Sequence, residues 1–154
     1  LSAGPLNLKL TAFNSGRVIE PGHTGRPVLL ICFGQETQGE IEAVEKAARE
    51  IHPLDADLIV AHVIDLHAVP SLFRKVAEGV LGGEHRKAVE ALPPDRAAED
   101  YVVMLPDWDG AIVKALGLTD ATKALGLALV DLDGSIAWRY QGASPADALR
   151  EALR

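Results

Sequence analysis

The distribution of apolar positions divides the chain into short elements. Val28-Leu29-Leu30-Ile31-Cys32-Phe33 is continuously apolar, and Leu58 to Ile64 nearly so. Strands apolar on both faces belong at the centre of a sheet that is covered on both sides. Between them Ile41, Val44, Ala47, Ala48 and Ile51 recur at helical spacing. This predicts a helix from about Gln38 to Ile51, turning Ile41, Val44, Ala48 and Ile51 to the sheet and Glu42, Glu45 and Lys46 to water. Strand, helix and strand in this order predict a parallel pair with a right-handed crossover.

The flanking segments follow the same logic. Leu6 to Leu10 alternates, and Asn14-Ser15-Gly16 turns the chain into Arg17-Val18-Ile19, predicting an N-terminal β-hairpin. Val69-Pro70-Ser71 leads into a helical stretch through Leu81, expected to break at Gly82-Gly83, resume to about Leu92 and close at Pro93-Pro94. Tyr101 to Leu105 reads as a third strand and Ala111 to Leu116 as a short helix. Leu127 to Val130 and Ile136 to Tyr140 flank Asp133-Gly134, a strong hairpin signal. Ser144-Pro145-Ala146-Asp147 supplies an N-cap, a first-turn proline and an early acid for a helix over Ala146 to Leu153.

A length of 154 residues fits one domain spanning 1–154, and 48% hydrophobic with 24% charged residues is an ordinary globular composition. The net charge of −7 disfavours a nucleic-acid or anionic-membrane partner, and no basic run exceeds two residues, as at Arg86-Lys87. Apolar runs fall far short of the ~20 residues of a membrane span. No charged-then-apolar leader opens the sequence, so a cytoplasmic setting is expected. The chain begins at Leu1 rather than Met, which leaves a removed leader or anchor open. A single cysteine, Cys32, excludes an internal disulfide.

Four segments in order carry a resemblance. Val28 to Phe33 looks like the strand that delivers the catalytic loop of thiol reductases and peroxiredoxins, and Val63-Ile64-Asp65 like the end of the next strand. Leu105-Pro106-Asp107-Trp108-Asp109-Gly110, followed by Ala115-Leu116-Gly117-Leu118, is similar to their central segment. Leu129-Val130-Asp131-Leu132-Asp133-Gly134-Ser135-Ile136 resembles their final hairpin, and Gln141-Gly142 its exit. Over about Leu6 to Leu153 the chain thus resembles the redoxins of the thioredoxin-like superfamily. The resemblance implies an α/β thioredoxin-like fold: a central mixed sheet flanked by helices, with an N-terminal hairpin extension.

The redoxin chemistry does not carry over. Gln38-Gly39-Glu40-Ile41 stands where the resemblance places cysteine–x–x–cysteine, and Ile41 takes the place of the second thiol. No cysteine lies between Gly34 and Arg154, Thr37 has no peroxiredoxin cysteine after it, and Lys123-Ala124-Leu125-Gly126 lacks the family's cis-proline. Two separate parts of the redox site are missing together.

What remains is sparse. Cys32, among Leu30, Ile31 and Phe33, reads as a small buried hydrophobe, since burial raises a thiol pKa whereas a reactive thiol needs it lowered. His62, Asp65 and His67 are close in sequence, but strand alternation sends His62 to one face and Asp65 with His67 to the other. A supplement from His23 or Asp107 gives no known ligand spacing, so neither a metal nor another cofactor is expected. No serine lies in a nucleophile elbow, and Ser71 and Ser144 look like helix caps.

Two functions follow as expectations. In the first, a redox-inactive thioredoxin-fold protein binds another protein, or a copy of itself, through the surface of the lost active site. The loops after the strands would gather Gln35, Thr37, Gln38, Asp65, His67 and Trp108 there. In the second, Cys32 acts alone as a thiol-dependent peroxidase or oxidoreductase with an external thiol. This requires its sulfur to be open to solvent near a helix N-terminus or a cation.

Overall fold

The computed structural model describes residues 5–154. Two short strands, β1 (Leu10–Thr11) and β2 (Val18–Ile19), pair antiparallel around the Asn14-Ser15-Gly16 turn. The five-stranded sheet comprises β3 (Val28–Phe33), β4 (Ile59–Asp65), β5 (Met104–Asp107), β6 (Gly126–Val130) and β7 (Ile136–Gln141), in the order β5-β4-β3-β6-β7. β3 runs parallel to β4, and β4 to β5, while β6 is antiparallel to both β3 and β7. The helices are α1 (Ile41–Ile51) after a 3₁₀ turn at Gln38–Glu40, α2 (Arg74–Glu90) after a second at Ser71–Phe73, α3 (Ala98–Tyr101), α4 (Ala111–Ala115) and α5 (Pro145–Leu153).

Strand alternation splits the core into two layers. Leu30, Cys32, Ala61, Val63 and Ala128 point to one face, closed by Leu10 and Ile19 of the N-terminal pair and by Val113 of α4. Leu29, Ile31, Phe33, Val60 and Leu127 point to the other, where Val44, Ala47 and Ala48 of α1 and Leu149 of α5 cover them. All six residues of β3 are buried. Each large aliphatic side chain so removed from water contributes about 1.5–3 kcal/mol.

The structure departs from the sequence pattern in several places. α2 continues through Gly82-Gly83, because a helical glycine costs only about 1 kcal/mol against alanine and does not by itself end a helix. β5 begins at Met104 rather than Tyr101. Tyr101 ends α3, and its hydroxyl accepts hydrogen bonds from the Asp55 amide at 3.0 Å and from Arg96 at 2.7 Å. Ser144 stands at the N-cap position of α5, ahead of Pro145 and Asp147 as expected, but in a left-handed conformation whose side chain makes no capping bond, while Ser71 lies within its 3₁₀ turn and caps no helix. Ile51 is exposed at the end of α1, and Glu45 turns back over β4 to His62 at 3.4 Å.

The final hairpin contains the predicted Asp133-Gly134, but Val130 pairs with Ile136 across a register shift, so the connection is longer than two residues. Gly134, at φ +86, docks its turn on the N-terminal segment: a Cβ there would stand 2.9 Å from the Pro21 carbonyl oxygen.

Candidate functional site

β3, β4 and β5 run parallel, so their C-terminal ends emerge at one pole of the sheet together with the loop that enters β6. At this pole Gly34 ends β3 against Thr122: a Cβ on Gly34 would lie 2.7 Å from Thr122 Cγ2 and 2.8 Å from its Cα. Only glycine permits that approach. Thr37, buried beneath it, locks the two loops together. Its hydroxyl accepts from the Gly34 amide at 2.9 Å and donates to the Ala121 carbonyl at 2.8 Å.

Asp65, at the end of β4, is buried and uses both of its oxygens. Oδ1 stands 2.6 Å from His67 Nδ1 and accepts from the His67 amide at 3.2 Å, while Oδ2 accepts from the Ala121 amide at 3.1 Å. This fixes the imidazole of an otherwise exposed His67 and aims Nε2 at Asp120, 3.9 Å away. Asp120 is itself held by the Thr122 amide at 2.9 Å and by the Thr122 hydroxyl. His67 and Asp120 border a cleft of about 230 Å³ with Asp109, Lys114 and Thr119. Asp107 lies below, accepting from the Ile112 and Val113 amides at 3.1 and 3.0 Å, so that it caps α4 from the strand end. Burial, opposed by those two bonds and reinforced by Asp65, raises its pKa.

The hydrogen bond and charge of Asp65 raise the pKa of His67 above its ordinary value. The folded value exceeds the unfolded one. The stabilisation from this pair is therefore complete below about pH 6.5 and is lost as pH rises through the folded pKa. In Asp65→Asn the His67 titration should fall back toward the ordinary histidine value. NMR titration of the imidazole resonances measures the shift, and an unmoved midpoint would dissociate His67 from Asp65.

The thiol is far from such a setting. Cys32 sits inside β3, paired across to Val63 and Gly126, with 0% of its surface exposed. Desolvation, with Asp107 and Asp65 adding like charge, raises its pKa well above the ordinary thiol range. At the N-terminal end of α1, where the redoxin resemblance places the thiol pair, Gln38, Gly39 and Glu40 are exposed and Ile41 is half-buried. The described residues contain no cis peptide bond.

Of the residues singled out from sequence, Thr37, Asp65 and His67 join one hydrogen-bonded pole. Gln35 and Gln38 flank Thr37, exposed. Trp108, directly after β5 at this end of the sheet, is half-buried against the core layer, and the Arg74 guanidinium of α2 stacks 4.4 Å from its ring centroid. Asp120 was missed. The signal for it was Asp120-Ala121-Thr122, an acid with a hydroxyl two residues on, which is a side-chain-closed turn.

The metal reading narrows in the same way. His62 lies on the opposite face with Glu45, and His23 lines a separate hollow of about 410 Å³ with Lys9, Arg17 and Arg26 at the other end of the strands. Asp65, His67 and Asp120 can offer ligand atoms within 4.8 Å of one another. Asp65 already spends both oxygens within the protein. That leaves Nε2 and Asp120, fewer than the three protein ligands of a catalytic zinc.

No family model and no curated protein matches the sequence. Solved structures do match. The exposed lipoprotein thioredoxin Etrx1 of Streptococcus pneumoniae is 15% identical at a TM-score of 0.61, over 95% of this chain and 96% of that one. StoA of Bacillus subtilis is 15% identical at 0.61, over 94% and 95%. A secreted Mycobacterium tuberculosis disulfide oxidoreductase homologous to Escherichia coli DsbE is 13% identical at 0.57, over 96% and 95%. No helix of the described residues is long and apolar enough to cross a membrane. The chain has the thioredoxin-like fold of thiol–disulfide oxidoreductases, carried by a sequence whose single cysteine cannot form the pair.

Proposed function

We propose that this protein is a redox-inactive member of the thioredoxin-like fold that binds a protein partner through the pole where such folds carry their thiols. The observation behind this reading is the position of Cys32, fully buried in the central strand with its pKa raised by that burial. A dithiol reductase needs a second cysteine, and a one-cysteine peroxidase needs a thiolate that peroxide can reach. The pole meanwhile offers ordered polar groups: His67 oriented by Asp65, Asp120 held in its turn, and Gln35 and Gln38 exposed beside the locked Thr37. Oriented hydrogen-bonding groups on a rigid scaffold suit recognition, because little side-chain freedom is lost on binding. One buried thiol is indifferent to the redox poise of its surroundings, so the reading is the same for a cytoplasmic or an exported protein.

Thiol labelling of the native chain tests this directly. Cys32 should react slowly at neutral pH and rapidly in denaturant, and the protein should consume no peroxide with an external thiol present. Rapid native labelling, with peroxide consumption abolished by Cys32→Ser, would replace the binding module with the enzyme. A pull-down from the native host, repeated with His67→Ala and Gln38→Ala, identifies a partner held at this pole.

A further inference from the structure

A hollow of about 410 Å³ lies by the N-terminal ends of β3 and β4, the opposite end of the strands from His67. Small-molecule sites commonly measure about 300–1,000 Å³. Its lining carries three cations, Lys9, Arg17 and Arg26, against one acid, Glu20, in a chain whose net charge is −7. The cations come from three separate segments, ahead of β1, ahead of β2 and ahead of β3. His23 is exposed beside them, and Val18, 48% exposed, supplies an apolar wall.

The two arginines are not equally satisfied within the chain. Buried Asp55 lies outside the lining, and its Oδ2 stands 3.5 Å from Nη2 of both guanidiniums. Arg17 also donates to the Glu99 and Asp100 carbonyls at 3.3 Å and lies 3.9 Å from the Asp100 carboxylate. Arg26 has only the shared Asp55 as an ion pair among the described residues, and its Nε is buried with no acceptor. Buried donors in native proteins are nearly always satisfied, by protein, water or an ion. The backbone beneath this arginine is fixed by a side-chain-closed turn. The Thr24 hydroxyl accepts from the Arg26 amide at 3.3 Å and donates to the Arg26 carbonyl at 2.6 Å.

A guanidinium presents its donors as a planar fork that matches phosphate oxygens two at a time, and a lysine adds a point charge. Cations arriving from three segments suit a tetrahedral group, which offers oxygens on every side, better than a planar carboxylate. We propose that this hollow binds a phosphate group, free or carried by a small ester. Arg26 is its principal contact, Arg17 and Lys9 add charge, and Val18 borders the organic part of an ester. Asp55 is a positioning residue that holds the two guanidiniums together. Glu20, Asp55 and Asp100 offset much of the local positive charge, so the affinity is moderate and depends on the fork of Arg26 rather than on charge alone. The hollow is separate from the pole, so phosphate binding and partner binding can fail independently.

Titration of the full chain with inorganic phosphate and with phenyl phosphate, followed by NMR at constant pH and ionic strength, tests the proposal. The His23 ring and the amides of Thr24 to Arg26 should shift saturably, with a dissociation constant of about 1 mM or tighter. The His67 resonances should stay in place. Arg26→Lys keeps a cation beside Asp55, should keep its circular dichroism, and should weaken binding about tenfold through loss of the fork. Lys9→Gln, at an exposed position, should weaken it about threefold. Shifts that do not saturate by about 10 mM, or that sodium chloride alone reproduces, overturn the site. An Arg26→Lys variant that binds like wild type does the same. Benzoate binding as tightly as phenyl phosphate overturns the assignment to phosphate. Within a confirmed site, tighter binding of phenyl phosphate than of inorganic phosphate assigns the ester, and the reverse order or equality assigns free phosphate.

Discussion

Val44→Asp is expected to lower the stability of the fold by about 3 kcal/mol or more. Val44 is fully buried on α1 beside Ala47 and Ala48, against the layer formed by Leu29, Ile31 and Phe33. The layer around it consists of apolar side chains, so a carboxylate there must either be buried charged or take up a proton at neutral pH. Both outcomes cost free energy that the unfolded chain does not spend. Domains of this size are stable by only about 5–15 kcal/mol, so a single such change removes a large share of the total. Urea denaturation followed by circular dichroism measures the loss. Glu42→Ala, at an exposed position of the same helix, should stay within about 0.5 kcal/mol of wild type. An unchanged midpoint for Val44→Asp would mean that α1 presents another face to the sheet.

Gly34→Ala should be the most damaging small substitution at the pole. Its methyl would lie 2.8 Å from the Thr122 Cα, and backbone cannot step aside as a flexible side chain can. The loop at Ala121 to Thr122 must withdraw, which strains the Thr37 hydroxyl bond to the Ala121 carbonyl and the Asp65 bond to the Ala121 amide. Overpacking together with two strained buried hydrogen bonds amounts to about 2–3 kcal/mol. The same withdrawal carries Asp120 away from His67, so the His67 resonances should move even in the folded variant. Gly39→Ala supplies the contrast: nothing lies within 4 Å of a Cβ there, and its denaturation midpoint should not change. If the two alanines behave alike, the contact between the β3 and β6 loops is not as close as described.

Local pattern was enough for the elements that bury one clear face. The continuous apolar run of β3, the 3.6-residue spacing of α1 and the alternation that separates His62 from Asp65 each follow from the period of the backbone, because neighbours on one strand or one turn leave little choice of orientation. The fate of Cys32 followed from the same run. What only the tertiary structure decided are the features made by residues distant in sequence. Asp120 joins His67 because the loop entering β6 folds over the end of β4, and no period within either segment records that meeting. Tyr101 leaves the strand because its hydroxyl is claimed by Asp55 and Arg96. The glycines of α2 suggested a break, yet the helix runs through them with Val76 and Val80 exposed. Propensity sets what glycine costs a helix, but packing elsewhere along α2 decides whether that cost ends it.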